Sequence, residues 1–229
     1  MSARHLSFIE TGRSKPSREL LLHLAEHLEV PLRERNAILL AGGYAPVFPE
    51  SSLDDPEMTP VRAALDKILA GHAQYPALIV DRRWDLVARN EPAAELMAGV
   101  DPKLLEPPVN VYRLSLHPDG LAPRIVNFAA WSEHLLARLH RQLALAPDPE
   151  VAVLYEELRT YPGVTSVSAA DHDTASMLFV PLELDAGGPE PLRFFSTVAT
   201  FGTALDITLA ELSIESFYPA DAATAAALR

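Results

Sequence analysis

Residues 192–229 read LRFFSTVATFGTALDITLAELSIESFYPADAATAAALR. Leu192–Phe201 and Thr208–Phe217 are rich in β-branched and aromatic residues, and Gly202-Thr203 separates them. In the second run Ala210, Leu212 and Ile214 alternate with Glu211, Ser213 and Glu215. That period of two predicts an antiparallel strand with one buried face and one solvated face. Ser176–Leu184 reads as a further strand, with Ala186-Gly187-Gly188-Pro189 as the turn between, and Pro219-Ala220-Asp221 opens an alanine-rich helix. Upstream, Ala77–Asp81 and Trp84–Ala88 flank Arg82-Arg83 as a β-hairpin. Between these two strand-forming ends lie helical patterns at 90–98, 125–145 and 148–161. The stretch 109–116 is ambiguous, although Asn110, Arg113 and His117 fall together at helical spacing. A sheet drawn from both ends of a domain, with helices inserted between, is an α+β arrangement. Helices on one face of such a sheet leave a small apolar chamber between the layers.

Three shorter helices precede that body. Leu6 and Ile9 share a face of a helix running from Ser2 to Glu10, and Gly12 suits a left-handed stop. Ser17 opens a second helix to Leu28, and Leu32–Ala41 forms a third. The proline- and acid-rich stretch VFPESSLDDPEM (47–58) predicts a linker between a domain at 1–46 and one at 59–229. Thr59-Pro60 then starts a helix with Val61, Leu65, Ile68 and Leu69 on its apolar stripe.

Composition narrows the function classes. The 229 residues are 48% hydrophobic and 22% charged, enough for a packed core. The absence of cysteine excludes disulfides, thiolate zinc sites and thiol catalysis, and fits a cytoplasmic protein. No apolar run reaches the roughly 20 residues of a membrane span. The net charge of −12 is unevenly spread. Residues 1–49 carry six basic side chains against five acids, and the rest carry 13 against 26. A basic module ahead of an acidic body points to nucleic acid as a partner of the module.

No catalytic constellation emerges. His134 and His140 lie about 240° apart around one helix and do not converge on a metal. Asp171-His172-Asp173 falls in a polar loop, and adjacent residues rarely point at one atom. Neither a nucleophile elbow nor a phosphate-binding glycine loop is present. The expectation is a protein that is not an enzyme and uses no metal or cofactor. The N-terminal helix carries more information. A recognition helix presents its first residues to base edges, with apolar positions seating it. Leu6 and Ile9 would seat it here. Ser2, Ala3, Arg4, His5, Ser7 and Phe8 would face the groove, with Arg13, Lys15 and Arg18 near the phosphates.

The stretch SARHLSFIETGRSKPSRELLLHLAEHLEVPLRERNAILLAGGYAP (2–46) resembles the second half of the helix-turn-helix domain of the XRE repressor family, in its MmyB-like branch. PALIVDRRWDLVARN (76–90), RLSLHPDGLAPRIVNFAAW (113–131) and 194–229 are similar to that branch's C-terminal domain. The resemblance implies a homodimeric DNA-binding regulator whose PAS-like domain takes a fatty-acid-like ligand. Compared with that family, the first helix of the DNA reader and nearly all of its second are missing. Met1 stands where the family usually has a valine, so the expectation is a start codon placed too late. A chain truly beginning there would bind DNA weakly, and the alternative is a stand-alone ligand-binding or interaction module. Phe128, Trp131, Phe179, Phe195, Val198 and Phe201 are the candidate pocket residues by type. Arg113, Arg124 and His117 are candidate partners for a carboxylate, Arg113 foremost.

Overall fold

Residues 3–164 and 180–228 of the chain are described by a computed structural model. In order they form α1 (Ala3–Glu10), α2 (Arg18–His27), α3 (Leu32–Ala41), α4 (Thr59–Gly71), β1 (Ala77–Val80), β2 (Leu86–Arg89) and α5 (Glu91–Leu96). There follow α6 (Val111–Leu116), α7 (Phe128–Leu145), α8 (Pro149–Leu158), β3 (Leu182–Leu184), β4 (Leu192–Thr200), α9 (Ile207–Glu211), β5 (Ser213–Pro219) and α10 (Ala222–Ala227). The architecture is α+β, with N-terminal helices ahead of an antiparallel sheet. Contacts divide the chain into two units, Met1–Thr59 with Phe201–Glu211, and Pro60–Thr200 with Leu212–Arg229.

The first unit is built on α2 and α3. Ser17 Oγ accepts the Leu20 N–H at 3.3 Å and caps α2. Ala25 and Leu39 are its buried apolar centres. The stretch expected as a free linker is held in place. Asn36 donates to the Phe48 carbonyl and accepts the Val47 and Phe48 N–H groups. Residues 201–211, expected within the second domain, group with this unit. Ile207 N–H donates to the Pro49 carbonyl at 2.8 Å, and Ser51 N–H to the Asp206 carboxylate at 3.1 Å. Arg33 forks onto Glu211 through Nε and Nη2, at 2.7 and 2.9 Å, and reaches Glu50 with Nη1 at 2.9 Å. Residues 208–211 are therefore not strand. Asp206 accepts the Leu209 N–H in a helix cap and starts α9, so the extended run begins only at Ser213.

The second unit holds a sheet of five described strands in the order β2-β1-β5-β4-β3, all neighbours antiparallel. β5 is central. Leu78 pairs with Glu215 and Val80 with Ser213 on one side, and Ser196 pairs with Phe217 on the other. Directly opposed residues share a face, so Leu78, Val80, Ser196, Glu215 and Phe217 point the same way. Against this face packs the main core, with Tyr112 and Leu116 from α6, Trp131, Leu135, Leu136 and Leu139 from α7, and Leu154 and Leu158 from α8. The other face carries the buried Ala77, Ile79 and Ile214 and a Phe195–Tyr218 ring stack at 5.3 Å. Of the strand expected at 176–184, Leu182–Leu184 is formed, and residues 176–179 lie outside the described residues.

The ambiguous stretch at 109–116 is helical because of one buried side chain. Asn110 Oδ1 accepts the Tyr112 and Arg113 N–H groups, each at 3.2 Å, and caps α6. Its Nδ2 donates to the Arg83 carbonyl and to Asp85 Oδ1, at 2.8 and 2.9 Å, in the β1–β2 turn. A substitution there strands donors and acceptors on both sides. Asn110→Ala should destabilise the second unit by about 2–3 kcal/mol, read as a shift in the urea midpoint. A change below about 0.5 kcal/mol would mean that this junction is not what sets α6.

Candidate functional site

Between β1, β5 and helices α5–α7 the core leaves an internal chamber of about 70 Å3. Its walls are apolar, with Leu78, Ala93, Met97, Leu114, Trp131, Leu135 and Phe217 among the lining residues. The Trp131 indole N–H is satisfied by Ser115 Oγ at 2.9 Å, so the indole meets the chamber as an apolar surface. Three polar side chains also line it, namely Tyr112, Ser115 and Glu215.

Glu215 is the unexpected member. The alternation of its strand predicts a solvated side chain, yet it is 5% exposed. Ser196 Oγ donates to its Oε1 at 3.0 Å, and Arg138 Nη1 donates to the same oxygen at 3.2 Å. Arg138 in turn covers the Trp84 ring, with its guanidinium carbon 4.1 Å from the centroid. Trp84 stacks on Tyr112 at 4.5 Å and donates its indole N–H to Gln142. Tyr112 is 2% exposed, and its hydroxyl meets no described partner at full hydrogen-bond geometry, with the Arg138 guanidinium as its polar neighbour. Burial pushes that hydroxyl above the ordinary tyrosine range, so it keeps its proton. The chamber thus joins apolar walls to a carboxylate and a buried hydroxyl.

Of the described residues among those singled out by type, Trp131 lines this chamber and Phe128, Phe195, Val198 and Phe201 stand elsewhere. Phe128 packs at the core edge, where Gly163 (φ 79°) lets its ring come within 3.3 Å of the place a Cβ would take. Phe195 lies on the opposite sheet face, and Val198 is 43% exposed. Phe201 belongs to the first unit, beside Val30 and Pro31. Phe179 and Asp171-His172-Asp173 lie outside the described residues. Arg113 is engaged by Glu157, with Nε to Oε1 at 2.8 Å and Nη2 to Oε2 at 2.7 Å, and the Tyr161 hydroxyl donates to the same carboxylate. Arg124 donates to the backbone carbonyls of Leu96, Ala98 and Asp185. His117 Nδ1 accepts the Asp119 N–H. In the first unit Ser7, Arg13, Lys15 and Arg18 are exposed around the turn from α1 to α2. Ser2 lies outside the described residues, as do the side chains of Ala3, Arg4 and His5. Among the described residues no His, Asp and Glu side chains cluster in a metal-binding group. No described helix is long and apolar enough to cross a membrane.

Sequence reasoning missed Tyr112, Ser115, Arg138 and Glu215. A charged residue in a central strand was the available signal for Glu215, but centrality is a property of topology.

Two outcomes follow from these groups. Removing a buried hydroxyl that makes no fully formed hydrogen bond costs little, so Tyr112→Phe should leave the ligand-free protein within about 1 kcal/mol of wild type or slightly stabilise it. A loss above about 2 kcal/mol in urea unfolding would show that the hydroxyl is bonded in solution. The Arg113 hydrogen bonds, aided by Tyr161, hold the Glu157 carboxyl below its ordinary value of 4.5. A depressed carboxylate contributes stability that is complete above the unfolded value and lost as pH falls through the folded one. Glu157→Gln should therefore destabilise the protein at pH 7 and converge with wild type in acid, once the folded carboxyl is protonated, checked by urea midpoints across pH.

Residues 61–229 match the family described as the MmyB-like transcription regulator ligand binding domain. No curated protein matches the chain. The matched region takes in every described lining residue of the chamber, from Pro76 to Phe217, and covers most of the chain. The chain therefore belongs to the MmyB-like transcription regulators, and the chamber lies in their ligand-binding domain.

Proposed function

We propose that the chain is a DNA-binding transcriptional regulator of XRE type, acting as a cytoplasmic homodimer. Its second unit would sense a small apolar, fatty-acid-like ligand. The observation that carries this reading is the chamber, lined mostly by apolar side chains, inside the ligand-binding domain of a regulator family. The route for the signal is covalent. β5 brings Glu215 and Phe217 to the chamber, and the residues just before it, Phe201–Glu211, belong to the first unit. There α9 is fastened by Arg33 through Glu211. A ligand that prefers one packing of helices on β5 would bias that segment, and with it the first unit, by population shift.

DNA contact falls to Arg13, Lys15 and Arg18, with Ser2, Ala3, Arg4, His5 and Ser7 towards the bases. Two-fold operators are the usual partners of such readers, which is the ground for the dimer. The test is fluorescence anisotropy of the chain on DNA from its own upstream region, across 50–200 mM salt. Three phosphate contacts predict a slope of about −3 in log affinity against log salt. An apolar ligand should shift that affinity at fixed salt. Ligand binding without any DNA affinity would instead support a stand-alone binding module, a reading that the 26 acids against 13 basic residues after position 49 favour.

A further inference from the structure

We propose that Arg33 couples the ligand-binding domain to the basic turn of the first unit, acting through α3 and the Tyr44–Pro16 hydrogen bond. This rests on the reading of the chamber as a ligand site and names the residues that carry its signal.

The coupling starts from chain connectivity. Glu211 ends α9 in the first unit, and β5 opens two residues later at Ser213. A movement at the start of β5 therefore reaches Glu211 along the backbone. Within the first unit, Ile207 and Asp206 tie the segment 201–211 to Pro49 and Ser51, in the stretch after α3. The Arg33 fork ties the same segment to α3 itself. The two side chains of that fork are 29% and 21% exposed. A two-point guanidinium–carboxylate pair fixes direction as well as distance, which a single exposed ion pair does not. Arg33 also holds Glu50 through Nη1, so one planar group carries both the stretch after α3 and the segment before β5.

Arg33 is the second residue of α3, and the far end of that helix meets the basic turn. Tyr44 N–H donates to the Leu39 carbonyl at 2.8 Å, which seats Tyr44 on the end of α3. Its hydroxyl donates to the Pro16 carbonyl at 2.9 Å. Pro16 lies among Arg13, Lys15 and Arg18, the cations expected at the phosphates. α2 packs on the same end, where a Cβ at Gly42 would stand 2.6 Å from Leu21 Cδ1. Close packing of this kind transmits a displacement instead of absorbing it. A shift at Glu211 is thus passed to α3 by Arg33 and to the basic turn by Tyr44.

The experiment uses the full chain with decanoate as the probe, at pH 7.5. Calorimetry reads binding, and hydrogen exchange followed by mass spectrometry reads residues 11–20, 32–41, 201–211 and 212–219. In wild type, decanoate should change exchange in all four stretches by about fivefold or more. Arg33→Met should still bind decanoate and keep the response at 212–219, but lose it at 32–41 and 11–20. Glu211→Ala should do the same from the other end of the fork. Tyr44→Phe should lose the response at 11–20 alone. Glu50→Gln leaves the fork on Glu211 in place and should respond as wild type does. A merely structural role for Arg33 would instead raise exchange across the first unit equally with and without decanoate. A wild-type response confined to 212–219 would overturn the proposal, and so would an unchanged response at 32–41 in Arg33→Met. Should Arg33→Met lose the fold of the first unit, Tyr44→Phe decides, and an unchanged response at 11–20 there overturns the relay. If decanoate neither binds nor alters 212–219, the ligand reading itself fails, and the coupling with it. The full pattern without any DNA affinity would uphold the coupling and sink the DNA-binding reading alone.

Discussion

Arg138 is the side chain on which the second unit turns. It leaves α7, covers Trp84 at 4.1 Å and donates to Glu215 on the central strand. A carboxylate 5% exposed is tolerated because that cation and the Ser196 hydroxyl meet it. Breaking such a pair by removing one partner costs about 3–5 kcal/mol, because the other charge stays buried. The arginine is also the reason Glu215 can stand in a chamber wall. Glu215 is among the described lining residues of the chamber and Arg138 is not.

The β1–β2 turn shows how tightly that arrangement is seated. Trp84 adopts φ 66°, a left-handed conformation that costs a residue with a Cβ about 1–2 kcal/mol. The surroundings hold it there. Its ring lies between the Arg138 contact and the Tyr112 stack, and Gln142 accepts its N–H while donating back to the Arg82 carbonyl. Arg82 then pairs with Asp148, the cap of α8. One turn thereby touches α6, α7 and α8, of which α6 and α7 line the chamber. Strain at Trp84 is offset by packing that fixes those helices, which is a favourable arrangement for a site that must hold a ligand in one geometry.

The connection from β4 to β5 gives the chain a third feature. It leaves the sheet after Thr200, joins the first unit and returns at Leu212. With the passage at Thr59, the chain crosses between the units three times. The returning strand is the central one, and it carries the acid of the chamber. A regulator needs two states that both sites bias. A central strand that lines a cavity in one unit and directly follows a segment of the other is a suitable element for that task.

Much of the fold was legible in the residues. Ser17, Asn90 and Asp148 announce helix starts because each side chain can accept the orphan N–H groups of a first turn. The paired runs around Arg82-Arg83 form the expected hairpin. The aromatic and β-branched run at 192–200 is strand because such side chains suit a pleated surface. Local chemistry decides those elements, so local sequence reveals them. The chamber was not legible in this way. Aromatic residue type singled out Trp131 but equally Phe195 and Val198, which stand elsewhere, because type does not say which face a strand residue takes. Glu215 looked solvated because alternation labels faces and not neighbours. Strand order made β5 central, and the ladder turned Glu215 toward the same face as Leu78 and Phe217. The sequence by itself determined the α+β class and most helices and strands, through capping, period and propensity, but not α6 or α9. Only the tertiary structure decided where Glu215, Arg138 and Tyr112 meet, because that meeting joins residues over a hundred positions apart through sheet order and helix packing.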